Sequence, residues 1–144
     1  MARYDKYNPI SGGFRAKLAA DFTTVANFGK VYAVSLNASG LLVIGGAGGT
    51  GVCGLLVLTE ARFANDVVDV MTQGEITDLN TAATPFDNFM AAGVVAAPVA
   101  GKKYFGHAAA DGAIDDVATA NYAVGYTVEA TRLVVRVANH AAGG

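Results

Sequence analysis

Short apolar runs that end in glycine-containing turns constrain the fold of this chain more than any other feature. Runs of four to nine residues are typical of β-strands, whereas globular helices need longer amphipathic segments. Many short strands with such turns are typical of a sandwich or a barrel. We therefore predict an all-β protein, a compact β-sandwich or barrel. The predicted strands are residues 30–36, 41–44, 52–59, 66–71, 75–79, 94–97, 103–106, 122–130 and 131–138.

Two turn signals predict hairpins within this pattern. Residues 37–40 read Asn-Ala-Ser-Gly and link the first two strands. Residues 72–74 read Thr-Gln-Gly and are predicted to form a tight turn between the strands on either side of them. Asp66, Asp69 and Glu75 alternate with apolar residues there, so we expect them on the solvent-exposed face of the second hairpin.

The first 29 residues differ from the rest of the chain because aromatic residues alternate there with charged residues and with Gly12-Gly13. The Asn8-Pro9 step and the paired glycines favour extended or turn backbone, so we predict an extended arm up to about Gly13. A short helix or an irregular strand follows it, since Phe14 begins a helical spacing of apolar residues. The predicted boundaries are 1–29 for the arm and lead-in segment, 30–139 for the β domain and 140–144 for a short tail.

One short helix is predicted between the strands, at residues 84–93. Thr84 is a suitable N-cap, Pro85 fits the first helical position, and Gly93 fits the position after the last turn. The apolar residues on one face of this helix are Phe86, Phe89 and Met90.

The scarcity of charged residues points to assembly rather than to chemistry. Only 15% of the residues are charged, against roughly 25% in ordinary soluble domains. The chain also holds 28 alanines and 18 glycines, so much of it carries almost no side chain. A domain of this size covers a large surface. Part of that surface must be apolar or nearly neutral, and such surfaces tend to face partners.

Composition argues against several classes of protein. No apolar run reaches the roughly 18–20 residues that a membrane helix needs, and residues 1–7 are too polar for a signal peptide. The net charge is −2 with scattered lysine and arginine, so we expect neither nucleic acid nor membrane as a partner. The single cysteine, Cys53, excludes an internal disulfide and a cysteine zinc cluster. We expect synthesis in a reducing cytoplasm.

A glycine-rich stretch at Gly46–Gly51 fits the pattern G-x-G-x-x-G, with Asp66 and Asp69 about 20 residues further on. In a dinucleotide-binding fold this loop must open a helix, because the pyrophosphate binds at the helix N-terminus. Residues 52–57 contain two valines and a glycine and make a poor helix. We therefore prefer a flexible loop between strands.

Other candidates for chemistry are weak. No serine lies in G-x-S-x-G, Cys53 in its apolar run is expected to be a buried inert thiol, and His107 and His140 lack further ligands at metal-binding spacing. The acidic residues around Gly112 could bind a cation, but a solvated turn is the preferred interpretation; these residues are Asp111, Asp115 and Asp116. We expect no enzymatic activity and no catalytic, cofactor-binding or metal-binding residues.

Four groups of segments, which together span most of the chain, carry a recognisable pattern. They are YNP at 7–9 with FRA at 14–16, GKV at 29–31 with LNASG at 36–40, TGVCGLLVLT at 50–59 with DVVDVMTQGEI at 66–76, and VGYTVEATRLVVR at 124–136. In their order and number, rather than through one motif, these segments resemble the decoration proteins of tailed bacteriophages, also called cement or head-stabilising proteins, especially those of actinobacterial phages.

The resemblance implies a small β-rich structural protein on the outside of the expanded capsid, without enzymatic activity. It implies a homo-oligomer, with a trimer favoured, that clamps neighbouring major capsid protein subunits. Terminal arms of such proteins commonly lie across capsid subunits or neighbouring copies, and tyrosine and arginine are enriched at binding hot spots. The residues expected at the capsid or subunit interface are Arg3, Tyr4, Tyr7, Pro9, Phe14 and Arg15.

Two alternative functions remain open from the sequence. One is a phage tail-tube protein or another structural subunit of the virion, which would also be all-β. The other, less favoured, is a small nucleotide-binding module that uses the Gly46–Gly51 loop.

Overall fold

Two five-stranded antiparallel sheets make up the part of the protein that the computed structural model describes, residues 12–23, 30–77, 98–118 and 120–137. The predicted all-β class is therefore confirmed, and within these ranges the chain contains no helix. Residues 84–93, where the short helix is predicted, lie outside the described residues, as do residues 94–97 and the tail at 140–144.

The first sheet has the strand order β1-β5-β4-β2-β3. Its strands are β1 (Gly13–Lys17), β2 (Lys30–Leu36), β3 (Leu42–Ile44), β4 (Gly54–Leu58) and β5 (Val67–Met71). The sheet curls until its two edges meet, because Leu18 directly after β1 forms a parallel bridge with Leu42 of β3. The result is a half-barrel with its own core. The buried residues of this half-barrel core are Leu18, Tyr32, Val34, Leu42, Leu56, Leu58, Val68 and Val70.

The second sheet has the strand order β6-β10-β9-β7-β8. Its strands are β6 (Gln73–Ile76), β7 (Lys103–Gly106), β8 (Ile114–Asp115), β9 (Tyr122–Thr127) and β10 (Leu133–Arg136). It packs against the first sheet through a second cluster of buried side chains. The residues of this inter-sheet core are Val31, Ala33, Val52, Leu55, Ile76, Tyr104, Ile114, Val124, Leu133 and Val135.

Strands β2 and β4 lie at the centre of the first sheet and bury both of their faces. In β4, Leu55 joins the inter-sheet core while Leu56 joins the half-barrel core. In β2, Val31 and Tyr32 divide in the same way. Side chains alternate between the two faces of a strand, so a strand covered on both faces needs a continuous apolar run. This explains why residues 54–58 read Gly-Leu-Leu-Val-Leu.

A backbone seam joins the two sheets along the segment 107–113. The amide of Ala33 donates to the carbonyl of Gly112 at 2.9 Å. The amide of Gly46 donates to the carbonyls of His107 and Ala109 at 3.0 and 3.1 Å. The loop after β7 is therefore held against β2 and against the loop after β3 by hydrogen bonds as well as by packing.

The predicted hairpin around residues 72–74 is wrong. Strand β5 belongs to the first sheet, whereas β6 pairs with β10 in the second, so the chain crosses between sheets at Thr72. Asp69 and Glu75 consequently lie on different sheets rather than on one wet face. After the crossing, Ile76 is buried in the inter-sheet core, where it stands opposite Leu133 of β10.

Candidate interaction surface

Two of the six predicted interface residues, Phe14 and Arg15, lie in β1. The segment after the predicted arm is thus a strand, the second of the two alternatives. Phe14 is partly buried against the half-barrel core, whereas the Arg15 side chain faces solvent. The other four predicted residues lie outside the described part of the chain; they are Arg3, Tyr4, Tyr7 and Pro9.

Gly12 and Gly13 fix the start of β1 at the corner where the chain crosses between the sheets. The carbonyl of Gly12 accepts hydrogen bonds from the amides of Thr72 at 3.0 Å and Gln73 at 3.2 Å. A Cβ atom at Gly13 would lie 2.0 Å from the carbonyl oxygen of Val70, so no other residue fits there without a backbone shift. The residues before position 12 therefore join the domain at this corner.

A groove of about 740 Å³ opens beside this corner. The apolar residues in its lining are Phe14, Leu55, Val57, Val70 and Met71. Arg15 and Asp69 are its charged lining residues. An apolar surface with a charged border at the root of residues 1–11 has the composition of a small protein-binding site.

Arg15 and Asp69 form an ion pair across the β1–β5 ladder. They are register partners, and Nε of Arg15 lies 2.7 Å from Oδ1 of Asp69. Both side chains are largely exposed, at 76% and 81%, so the pair contributes at most about 1 kcal/mol to stability. The predicted hairpin did not reveal this partner of Asp69, because the pattern Val-Asp-Val at 68–70 indicates only that Asp69 faces away from the half-barrel core.

The outer face of the second sheet is a second exposed surface. Tyr126 is 43% exposed, and Val128, directly after β9, is 47% exposed. Arg132 lies near them and binds Glu129 at 2.6 Å and Glu75 at 2.9 Å. The hydrogen bond to Glu129, with the charge of both carboxylates, raises the pKa of Arg132. This face combines exposed apolar side chains with charges that are already paired within the domain.

The glycine-rich loop at 45–51 packs against the protein itself. The amide of Gly48 donates to Oγ of Ser35 at 2.8 Å, and that hydroxyl donates to the carbonyl of Gly45 at 2.6 Å. The amides of Gly46 and Gly51 also have backbone acceptors. Strand β4 follows the loop where the dinucleotide-binding pattern needs a helix. These glycines are explained by close packing within the domain.

The prediction of a solvated turn around Gly112 is wrong for Asp115, whereas Asp111 and Asp116 are exposed. The Asp115 side chain is 5% exposed, and its Oδ2 lies 2.8 Å from Nε2 of His107. Oδ2 of Asp111 lies 3.0 Å from Nδ1 of the same ring. Asp116 instead pairs with Lys102 at 2.8 Å. The cluster was not predicted, although His107, Asp111 and Asp115 recur at intervals of four residues.

Burial and hydrogen bonding shift the pKa values of three side chains, His107, Asp111 and Cys53. Burial disfavours the charged form of His107, but the hydrogen bonds and charges of Asp115 and Asp111 outweigh it and raise the pKa of His107. Burial also disfavours the Asp111 carboxylate, but the Ala113 amide and His107 outweigh it and lower the pKa of Asp111. Burial raises the pKa of Cys53, which keeps that thiol protonated.

Two absences concern residues 12–23, 30–77, 98–118 and 120–137, the described part of the chain. Among these residues, no group of three or more histidine, cysteine, aspartate or glutamate side chains is arranged to hold a metal ion. No helix long and apolar enough to cross a membrane occurs in this part of the chain.

The fold is shared with a chain from a solved structure described as Mycobacterium phage Patience. The two chains superpose with a TM-score of 0.72, and the match covers 95% of this chain and 96% of that chain. They are 22% identical, so the likeness establishes the two-sheet fold. No protein-family model matches the chain, and no curated protein matches it.

Proposed function

We propose that this protein is a structural component of a tailed-phage virion. It binds the outside of the expanded capsid and stabilises contacts between major capsid protein subunits, and it has no enzymatic activity. The fold likeness to a chain of a mycobacteriophage, over almost the full length of both chains, is the observation that carries this proposal. The segments that resemble decoration proteins support it independently.

The chemistry of the surface also supports the proposal. The groove beside β1 offers apolar side chains with one exposed ion pair, and Tyr126 and Val128 are exposed on the second sheet. Docking on such surfaces requires little desolvation of unpaired charges, which would otherwise oppose binding. We assign the capsid or subunit interface to β1, the groove and the residues before position 12.

Stabilisation of the shell would follow from mass action. A protein that binds only the expanded shell stabilises that state by RT ln(1 + [L]/Kd), about 2.7 kcal/mol per site at a concentration of 100 Kd. If each oligomer bridges several capsid subunits, later contacts form at high effective concentration. A homo-oligomer, with a trimer favoured, would give that multivalency.

We expect the purified protein to bind expanded capsids of its phage that were assembled without it, and to raise their thermal disruption temperature. The measurement is a thermal scan of the capsids with and without the protein, with sedimentation to count bound copies. Unexpanded procapsids are the control, since they should gain less. Capsids that bind none of the protein and gain no stability would contradict the proposal.

We expect the arm and the β1 surface to matter more for binding than for folding. Deletion of residues 2–11 leaves β1 intact, and Arg15→Ala removes an exposed cation at the groove. Each is expected to weaken capsid binding at least tenfold, which is about 1.4 kcal/mol, while Arg15→Ala changes the free energy of unfolding by less than about 1 kcal/mol. Lys17→Ala removes another exposed cation from the same strand and is the matched control. Equal effects of Arg15→Ala and Lys17→Ala on binding would remove Arg15 from the interface.

The alternatives from the sequence make different predictions in the same preparations. A tail-tube subunit would assemble into rings or tubes, which electron microscopy separates from decorated shells. A nucleotide-binding module would give heat in a calorimetric titration with nucleotides. We expect neither result.

A further inference from the structure

His107 has an aspartate side chain within hydrogen-bond distance of each of its ring nitrogens. Nδ1 faces Asp111 at 3.0 Å and Nε2 faces Asp115 at 2.8 Å. A neutral imidazole carries one N–H, so one of its nitrogens would present a lone pair to a carboxylate oxygen. The imidazolium carries both N–H groups and satisfies both carboxylates. The geometry therefore selects the charged ring.

The two carboxylates are themselves held in position by backbone amides. Oδ1 of Asp115 accepts from the amide of Val117 at 2.9 Å, and Oδ1 of Asp111 accepts from the amide of Ala113 at 3.1 Å. The backbone amide of His107 also donates to the carbonyl of Ala113 at 2.9 Å. The ring and its partners thus close the loop between β7 and β8 into one hydrogen-bonded unit.

That loop is the part of the second sheet that forms the backbone seam with the first. The carbonyl of His107 accepts from Gly46, and the carbonyl of Gly112, next to Asp111, accepts from Ala33. Any loss of order in the loop therefore loosens the hydrogen bonds between the two sheets.

We propose that His107, Asp111 and Asp115 form a pH-sensitive clasp that holds the seam between the two sheets when the imidazole is protonated and loosens the seam when it loses that proton. This inference concerns the fold of the domain and is independent of the proposed function.

Other charged groups around the ring do not provide a substitute for the two carboxylates. The loop at 45–51 packs against this segment and contains no ionisable side chain. Asp116, directly after β8, and Lys102, directly before β7, are paired with each other. On β9, Tyr122 stands opposite Gly106 in the ladder, and its ring lies against Gly51. Asp111 and Asp115 are therefore the described groups that bind the imidazole.

The direction of the pH dependence follows from proton linkage. The pKa of His107 is raised above its ordinary value of 6.5 in the folded protein. The closed seam then binds more protons than the opened one, so its extra stability is complete below pH 6.5 and is lost as the pH rises through the raised pKa. Each unit of difference in pKa corresponds to about a tenfold change in the opening equilibrium.

The test is a pH series of amide hydrogen exchange by NMR on the full chain, with the His107 ring titrated in the same samples. We expect His107 to titrate above 6.5. As it does so, the protection factors of Gly46 and Ala33, corrected for the intrinsic base-catalysed rate, should fall by about tenfold per unit of pKa difference. The amide of Leu18, which donates to the carbonyl of Asp66 within the half-barrel and not across the seam, is the internal control and should keep its protection.

Two variants separate the clasp from a merely structural histidine. Asp111→Asn alters the more exposed partner and should lower the pKa of His107 while the domain stays folded. His107→Gln should abolish the pH dependence of protection at Gly46 and Ala33. The proposal is overturned if His107 titrates at or below pH 6.5. It is also overturned if the protection factor of the Gly46 amide does not change as His107 titrates. A pH-dependent loss of amide protection at Gly46 and Ala33 that persists unchanged in His107→Gln would overturn the proposal as well.

Discussion

Gly45→Ala is expected to lower the free energy of unfolding by at least about 4 kcal/mol, which is the range of severe single substitutions. A Cβ atom at this position would lie 1.9 Å from the carbonyl oxygen of Ala109 and 2.7 Å from the Cα atom of Ala110. Both neighbours are backbone atoms of the seam, so the substitution must separate the two sheets locally. Gly45 also has a φ of +82°, which adds strain for any residue with a side chain. Urea denaturation of the two proteins is the measurement.

Gly40→Ala is the matched control for this substitution. Its φ of +73° is similar, but nothing lies within 4 Å of a Cβ atom there, so it should cost only the left-handed backbone strain of about 1–2 kcal/mol. The difference between the two variants then measures the close approach of the sheets. Equal losses for Gly40→Ala and Gly45→Ala would mean that the loop moves freely away from Ala109, and the seam would not be a rigid contact.

Local pattern alone could predict those strands whose apolar run ends at the same residue as the strand itself. Residues 30–36 and 103–106 were predicted with the bounds that β2 and β7 have. In both segments the apolar run ends where the strand ends, at a turn or at Gly106. The strand at 52–59 was predicted too long, because Val52 is as apolar as β4 but belongs to the loop before it.

The corner at Thr72 shows what local pattern could not decide. Thr-Gln-Gly is suitable both for a tight hairpin turn and for a crossing between sheets, since either needs polar residues and glycine. The choice depends on a partner far along the chain: β6 pairs with β10, where Ile76 stands opposite Leu133. Such a non-local ladder leaves no trace in the residues around the corner.

Only part of the candidate site could be predicted from the sequence, because the rest of it also depends on non-local strand pairing. Phe14 and Arg15 were predicted from the resemblance to decoration proteins and their terminal arms, but their ladder partners in β5 and the groove beside them depend on the pairing of strands remote in sequence. The His107 cluster was hidden because Asp115 appeared to be in an open turn. The pairing of β7 with β8 buries it and brings it to the ring.

Leu55→Ala and Leu56→Ala are both expected to lower the free energy of unfolding by about 2–5 kcal/mol, the usual cost of truncating a buried leucine. The two residues are neighbours in β4 and point to opposite faces of the sheet. Leu55 is fully buried in the inter-sheet core, and Leu56 is 3% exposed in the half-barrel core. In a strand with one solvent-exposed face, one of the two substitutions would leave the free energy of unfolding almost unchanged. Two large and similar losses, measured by urea denaturation, are the signature of a strand between two separate cores.

Val67→Ala provides the control, because Val67 lies on the neighbouring β5 and is 55% exposed. Its loss should stay within about 0.5 kcal/mol, as for surface positions generally. A small loss for Leu56→Ala would mean that the half-barrel does not close over its own core, and the bridge between Leu18 and Leu42 would then contribute nothing to the stability of the domain.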